Sequence, residues 1–363
     1  MEHNELYTSL KKHLDAMPAG FPDCRDCAEI KLLRKFYTPE QARAALACTA
    51  MPEPVSAIAG RLKIDEQEAA EVIEQMAKEG LLFRVRTSKG PLYCQPNFIM
   101  GIYEWHVHTI DKETAELADR YYEGMFERHW RGKETKQLRV VPVNTSIIQK
   151  DTVRSYDNIR DLVRGSGKGP YAVAPCICRV EQMKKGNTVT RPLETCLTFG
   201  YTAKYYIENG IGRELTEGEL MAKLDECEKA ALVPFGTNSQ EITNMCMCDS
   251  DSCQLFRILK SYSRPAEEVH SAYRAEIDPS QCSGCGVCAT RCQVDAILET
   301  GEAAAKPGKH AYAVIEERCI GCGLCVQRCP AAAVAMVRKE TVPDVPENIF
   351  TMYGRMAKER GSI

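Results

Sequence analysis

The 363-residue sequence predicts a multidomain α+β protein, and three observations predict it. At ~100–200 residues per domain, a chain this long is expected to hold two or three domains. Hydrophobic periodicity changes along the chain. It is helical with a hairpin signal near the start and alternates short apolar runs with helical stretches in the middle. Cysteine is the third signal, because eight of the nineteen cysteines crowd between Cys282 and Cys329. We divide the chain into an N-terminal helix and leader (1–28), a helical unit with a hairpin (29–105) and a connecting helix (106–136). A central α/β cysteine-rich domain (137–265), a small C-terminal domain (266–340) and a tail helix (341–363) follow. Net charge is −3, so the whole chain does not read as a polyanion binder. No apolar run approaches the ~20 residues of a membrane span. Met1–Gly20 reads as an amphipathic helix with Leu6, Leu10 and Leu14 on one face, not as a secretory signal. Nineteen cysteines without such a signal suit a compartment that keeps thiols reduced, and the expected location is cytoplasmic.

In residues 29–100, Thr38-Pro39-Glu40-Gln41 is a capping box with proline at the first helical position. A second helix runs through Val55, Ile58 and Leu62. Asp65-x-x-Glu68 caps a third, which Gly80 stops. Leu81–Thr87 and Leu92–Cys94 read as strands joined through Ser88-Lys89-Gly90. Three helices and a hairpin in this order read as a winged-helix-like domain. Its third helix would be the DNA reader, yet residues 65–79 hold Asp65, Glu66, Glu68, Glu71, Glu74 and Glu79 against a single Lys78. A helix entering a groove must neutralise phosphates, so nucleic acid is disfavoured. Protein docking, or a homo-oligomer formed through this region, is the preferred role. Arg84, Arg86 and Lys89 are the only basic cluster nearby.

Residues 111–131 carry a helix with Leu117, Tyr121 and Met125 in one stripe and Ala118, Tyr122, Phe126 and Trp130 in another, a core pattern. In the central domain, Leu138–Val143, Tyr171–Ala174 and Ala231–Phe235 read as buried strands. Helical segments are expected near 154–164, 199–208, 217–230 and 253–261. Pro343 and Pro346 mark a linker, and Ile349, Phe350, Met352, Tyr353 and Met356 form a helix expected to strap onto another domain or subunit.

The C-terminal cysteines fall in two matched runs, Cys282-x2-Cys285-x2-Cys288-x3-Cys292 and Cys319-x2-Cys322-x2-Cys325-x3-Cys329-Pro330. Three thiolates spaced in this way on a loop can hold three irons of one cubane, while the fourth turns away and ligates the other cluster. Cluster one is therefore expected on Cys282, Cys285, Cys288 and Cys329, and cluster two on Cys319, Cys322, Cys325 and Cys292. A zinc knuckle or a disulfide lattice would be the alternative, and two duplicated runs argue against both. Residues 274–340 resemble the bacterial dicluster ferredoxin, which binds two [4Fe–4S] clusters. One departure is Gln293, where that pattern has proline; it removes no ligand.

A second constellation lies in the central domain: Cys176-x-Cys178, Cys196 and Cys246-x-Cys248-x4-Cys253. The first pair follows a predicted strand, and the triplet lies a loop beyond another. Ligands gather at the carboxyl ends of strands in open α/β sheets, so the groups could share one site. Four of the six would suffice for a third [4Fe–4S] cluster or a zinc ion. Inert buried cysteine is the plainer reading. Arg179 and Arg191 are positioned to lower thiolate pKa values or meet an anion, and Cys227 is expected to be simply packed.

The whole chain is similar to a group of iron–sulfur proteins of anaerobes that join a winged-helix-like N-terminus, a Pro-Cys-Ile-Cys-Arg element (here Pro175–Arg179) and a terminal dicluster ferredoxin. That resemblance implies electron transfer with a redox partner, an oxidoreductase, and no particular substrate. In that group the second central cysteine group tends to be denser than Cys246–Cys253. The two rival readings are a redox-sensing regulator and a reductase subunit with chemistry at the central site. Weaker signals are Cys24-x2-Cys27, the His106/His108 pair and the glycine-rich Arg164–Pro170. No catalytic Ser/His/Asp set or acid/base carboxylate pair stands out from spacing.

Overall fold

The computed structural model describes residues 3–143, 159–165 and 169–362. Helix α1 (His3–Asp15) buries Leu6, Leu10 and Leu14, as the periodicity predicts. Helices α2 (Ala28–Phe36) and α3 (Pro39–Ala45) follow. The capping box at Thr38 is formed: its hydroxyl accepts from the Gln41 N–H (3.2 Å), and its own N–H donates to the Gln41 carboxamide (2.9 Å). Next come α4 (Val55–Leu62) and α5 (Glu66–Lys78), then the hairpin of β1 (Phe83–Thr87) and β2 (Gly90–Cys94). Gly80, at φ +82°, turns the chain out of α5. The expected order of three helices and a hairpin is thus present.

A single helical turn, α6 (Tyr103–Trp105), leads to the connecting helix α7 (Lys112–Met125). His106 and His108 do not flank a strand. Their rings bond the backbone carbonyls of Ile102 (2.6 Å) and Ile211 (3.0 Å) and do not face each other as a metal pair would.

The central domain comprises β3 (Leu138–Val140), α8 (Ile159–Gly165), β4 (Tyr171–Pro175), α9 (Ile177–Lys184), β5 (Glu194–Phe199), α10 (Gly200–Glu208) and β6 (Arg213–Leu215). It continues through α11 (Glu217–Lys229), β7 (Val233–Thr237), β8 (Asn244–Cys248) and α12 (Gln254–Ser261). Its six strands are ordered β3-β7-β8-β5-β4-β6, and every pairing is antiparallel. The rule that ligands gather at the carboxyl ends of parallel strands therefore does not apply here. Two of the central strands, β5 and β8, are absent from the sequence expectation. The first part of the 154–164 helix and the middle of the Arg164–Pro170 loop lie outside the described residues. Strand alternation splits the sheet's two faces. Val173, Leu197, Met245 and Met247 join Leu220 and Leu224 of α11 and Leu162 of α8 in one core. Ala172, Ala174, Cys196, Cys246 and Cys248 turn to the other core, shared with the N-terminal helices.

The C-terminal domain consists of β9 (Tyr273–Ile277), α13 (Val287–Thr290), β10 (Ile297–Ala303), β11 (His310–Val314) and β12 (Val334–Arg338). Strand β9 pairs antiparallel with β12, and β10 with β11. The cysteine runs occupy the two crossings, β9 to β10 and β11 to β12. Only the first carries a short helix; residues 324–328 of the second are turns. Finally α14 (Ile349–Glu359) straps back within the chain. Its Glu359 accepts from the Thr135 N–H (3.1 Å), and Arg360 donates to the Asp15 carbonyl at the end of α1 (2.6 Å). Among the described residues, no helix is long and apolar enough to cross a membrane.

Candidate metal centres

The six central cysteines meet. On adjacent strands Cys196 of β5 stands opposite Cys246 of β8, and Ala174 of β4 stands opposite Cys196. Cys246 and Cys248, two residues apart on one strand, share that face. Cys176 follows β4 directly, Cys178 lies in the first turn of α9, and Cys253 caps the start of α12. The thiols neighbour one another: Cys178 lies beside Cys176 and Cys253, and Cys248 beside Cys246 and Cys253. Cys196 closes the group, within electrostatic reach of Cys246 and Cys176. The arrangement is a set of paired contacts. Among the described residues, no three His, Cys, Asp or Glu side chains converge as around a single ion.

Two members have their pKa drawn down. The Cys178 thiol donates to Cys176, and Arg179 adds positive charge, drawing the Cys176 pKa down to about 7. Thiols of Cys178 and Cys248 likewise draw down that of Cys253. Cys178 and Cys248, the donors, are held as thiols. Arg179 does not reach for a substrate anion. It is 1% exposed and spans the site: its guanidinium bonds Thr195, the Met247 carbonyl (3.0 Å) and the Asp249 carboxylate. Its Nε meets no acceptor among the described residues. Arg191 bonds the Ala230 carbonyl instead.

Buried acids flank the thiols. Burial lifts Glu104, which is felt by Cys196, to about 7. It lifts Glu181 to about 8 despite a hydrogen bond from the Tyr103 hydroxyl. Gln254, next to Cys253, donates to Glu181 (2.9 Å) and also to Asp119. Asp119 lines an open basin of about 620 Å³ at the surface. Sequence reasoning missed Glu104, Tyr103 and Glu181, since Tyr103 and Glu181 are 78 residues apart and neither sits in a motif.

In the C-terminal domain, Cys282, Cys285 and Cys288 of the first run line one cleft together with Cys329 of the second, beside Tyr312, Ala333 and Val334. The other four gather separately. Cys292 and Cys319 lie within reach of Cys322, and Cys319, Cys322 and Cys292 within reach of Cys325. Backbone N–H groups point at three of the sulfurs: Ala275 at Cys319 (3.3 Å), Ala296 at Cys292 (3.2 Å) and Ala333 at Cys329 (3.3 Å). Gly321, at φ +69°, lets the second loop pass close to the Tyr273 carbonyl, on which any Cβ would collide.

Residues 275–336 match the family of 4Fe-4S dicluster domains. No curated protein and no solved structure matches the chain. The chain therefore carries a C-terminal 4Fe-4S dicluster domain, which supports an iron–sulfur electron-transfer role. That domain is bolted to the central one. Arg291 donates to the Glu228 carbonyl at the end of α11 (2.8 Å), and Arg318 to the Tyr262 (2.6 Å) and Lys260 (3.0 Å) carbonyls at the end of α12. Both place cations at helix C-termini, where the dipole favours them.

The remaining cysteines stand apart. Cys24 lines the surface basin as a thiol with its pKa pushed to about 12 by burial, while Cys27 is exposed. Cys48 is buried and bonds the Ala44 carbonyl (3.5 Å), and burial raises Cys94. Cys227 is packed under the sheet with Leu220 and Leu224.

Proposed function

We propose that this chain relays single electrons to or from a partner oxidoreductase through three iron–sulfur centres. Cys282, Cys285, Cys288 and Cys329 would hold one [4Fe–4S] cluster, and Cys319, Cys322, Cys325 and Cys292 a second. A third cluster, in preference to zinc, would draw its ligands from Cys176, Cys178, Cys196, Cys246, Cys248 and Cys253. Bound in these sites, a cubane supplies one-electron redox chemistry at a potential set by hydrogen bonds, charge and exposure. The observation that carries the proposal is the cleft lined by three cysteines of one run and the last of the other.

The chain's own residues suit such groups. N–H donors to sulfur stabilise thiolate charge, and the buried Nε of Arg179 leaves a donor free beside the central thiols. Cys285 is the one exposed cysteine of the eight, so cluster one is the port for the partner. The test is Cys329→Ala. EPR of the reduced protein should lose the signal of the cluster held by Cys282, Cys285 and Cys288; loss of the opposite cluster would overturn the assignment.

The winged-helix-like unit would serve assembly within the chain. Arg84 and Arg86, the basic pair of its hairpin, are engaged by Glu74 and by Glu208 of α10. Tyr205 of α10 donates to the Ala77 (2.8 Å) and Leu82 (2.9 Å) carbonyls. A second reading, a reductase with chemistry at the central site, is favoured by one observation: six thiols lie there in linked pairs where four would ligate, and the buried Glu104 is within electrostatic reach of Cys196.

A further inference from the structure

Where the dicluster pattern has proline after its first cysteine run, this chain has Gln293, and Gln293 faces the central domain. It is 4% exposed. Its Oε1 accepts from the N–H (2.9 Å) and hydroxyl (3.2 Å) of Ser250, and its Nε2 donates to the Ala231 carbonyl (3.1 Å). Ser250 lies between Cys248 and Cys253, in the loop that Asp249 braces by accepting from the Asp251 (3.0 Å) and Ser252 (2.7 Å) N–H groups. Gln293 itself is bonded in sequence to Cys292. A short path of covalent bonds and one hydrogen bond therefore runs from Cys292 through the Gln293 side chain to Ser250 and on to Cys248. Proline has no polar side chain with which to make this link.

We infer that Gln293 is the junction through which electrons pass between the dicluster domain and the central six-cysteine site, so that the relay is ordered partner, cluster one, cluster two, central site. This rests on the proposed ligand sets. Cys292 belongs to the set in which every cysteine is buried or half-buried, whereas the other set includes the exposed Cys285, which makes cluster two the inner station. Each transfer moves one electron, makes and breaks no bond, and needs an external one-electron donor at the exposed end. Hydrogen-bonded contact between two redox sites carries electronic coupling better than a gap across the same interface. The same contact also fixes the two modules in register, so Gln293 is a positioning residue for both.

The experiment reduces the anaerobic full-length protein with dithionite and follows the sites by rapid-freeze-quench EPR. Gln293→Met keeps volume and removes all three of these hydrogen bonds; Gln293→Glu keeps the acceptor for Ser250. Iron and sulfide counts, with circular dichroism, establish that each variant is folded and loaded as the wild type is. The expected result is loss of the fast phase of central-site reduction, and of magnetic coupling between the central site and cluster two, in Gln293→Met, with restoration in Gln293→Glu. Should Gln293→Met lose iron, Ser250→Ala, which removes only the hydroxyl contact, gives the same reading with a partial loss. Unchanged transfer and coupling in a fully loaded Gln293→Met overturn this inference alone. A wild-type protein with no central cluster overturns the three-centre reading and this inference with it.

Discussion

Arg179→Met should be among the most damaging single changes outside the ligands. The Arg179 and Asp249 side chains are each 1% exposed and form an ion pair that joins the start of α9 to the loop after β8, the two segments that deliver Cys178 and Cys253. Methionine keeps the length and removes the charge. Asp249 is then left buried without a cation, holding only the Asp251 and Ser252 N–H groups, and breaking such a pair by removing one partner costs about 3–5 kcal/mol. The Thr195 and Met247 contacts are lost too. Cluster release makes unfolding irreversible, so the readout is the rate of anaerobic unfolding in guanidinium, followed by Trp105 and Trp130 fluorescence. At about 1.4 kcal/mol per tenfold, unfolding should accelerate by roughly a hundredfold or more if the pair is absent from the transition state. The double variant Arg179→Met/Asp249→Leu has no stranded charge and should unfold more slowly than the single one. An Arg179→Met protein within about tenfold of wild type, or a double variant worse than the single, would refute the reasoning.

Gly321→Ala should selectively cost the iron of cluster two, because an added Cβ would run into the Tyr273 carbonyl and sit on a left-handed residue; metal analysis and EPR of each cluster check it, and a full iron complement would count against the loop geometry. His270 supplies a pH dependence. Burial, then Lys136, lowers its pKa to about 4, and its Nδ1 lies 3.0 Å from the Asn238 amide nitrogen. The unfolded chain, with an ordinary histidine near 6.5, takes the proton first. Stability from this group is therefore full above about pH 6.5 and falls as pH drops towards about 4, by up to roughly 3 kcal/mol. Thermal midpoints of the wild type and of His270→Gln should diverge across that window and run parallel above it; parallel curves throughout would exclude His270 as a cause.

How much of this is legible in the sequence depends on whether the signal is local. The C-terminal runs are readable because spacing alone dictates which thiolates can share a cubane. The cap at Thr38 is readable for the same reason, being made with Gln41 three residues on. Convergence of the central cysteines is expected from the sequence, but by parallel-strand logic that the antiparallel sheet does not follow. The usable signal is the alternation Met245-Cys246-Met247-Cys248, which puts methionines in one core and cysteines in the other. Met and Cys both count as apolar, so period two vanishes into a continuous run. Arg84 and Arg86 look like a free basic cluster because Glu208, their partner, lies 124 and 122 residues away. Gln293 reads as a missing proline, but its partners, Ser250 and Ala231, belong to another domain.

Iron and acid-labile sulfide counting on the anaerobically purified full-length protein, with EPR of the reduced form, tests the three-centre relay most directly. The relay predicts about twelve irons and as many sulfides per chain, about four per cubane, with signals broadened by coupling between neighbouring clusters. About eight irons, with the six central cysteines free to react with a thiol reagent, would remove the central station, and fewer than about eight would contradict the dicluster assignment itself.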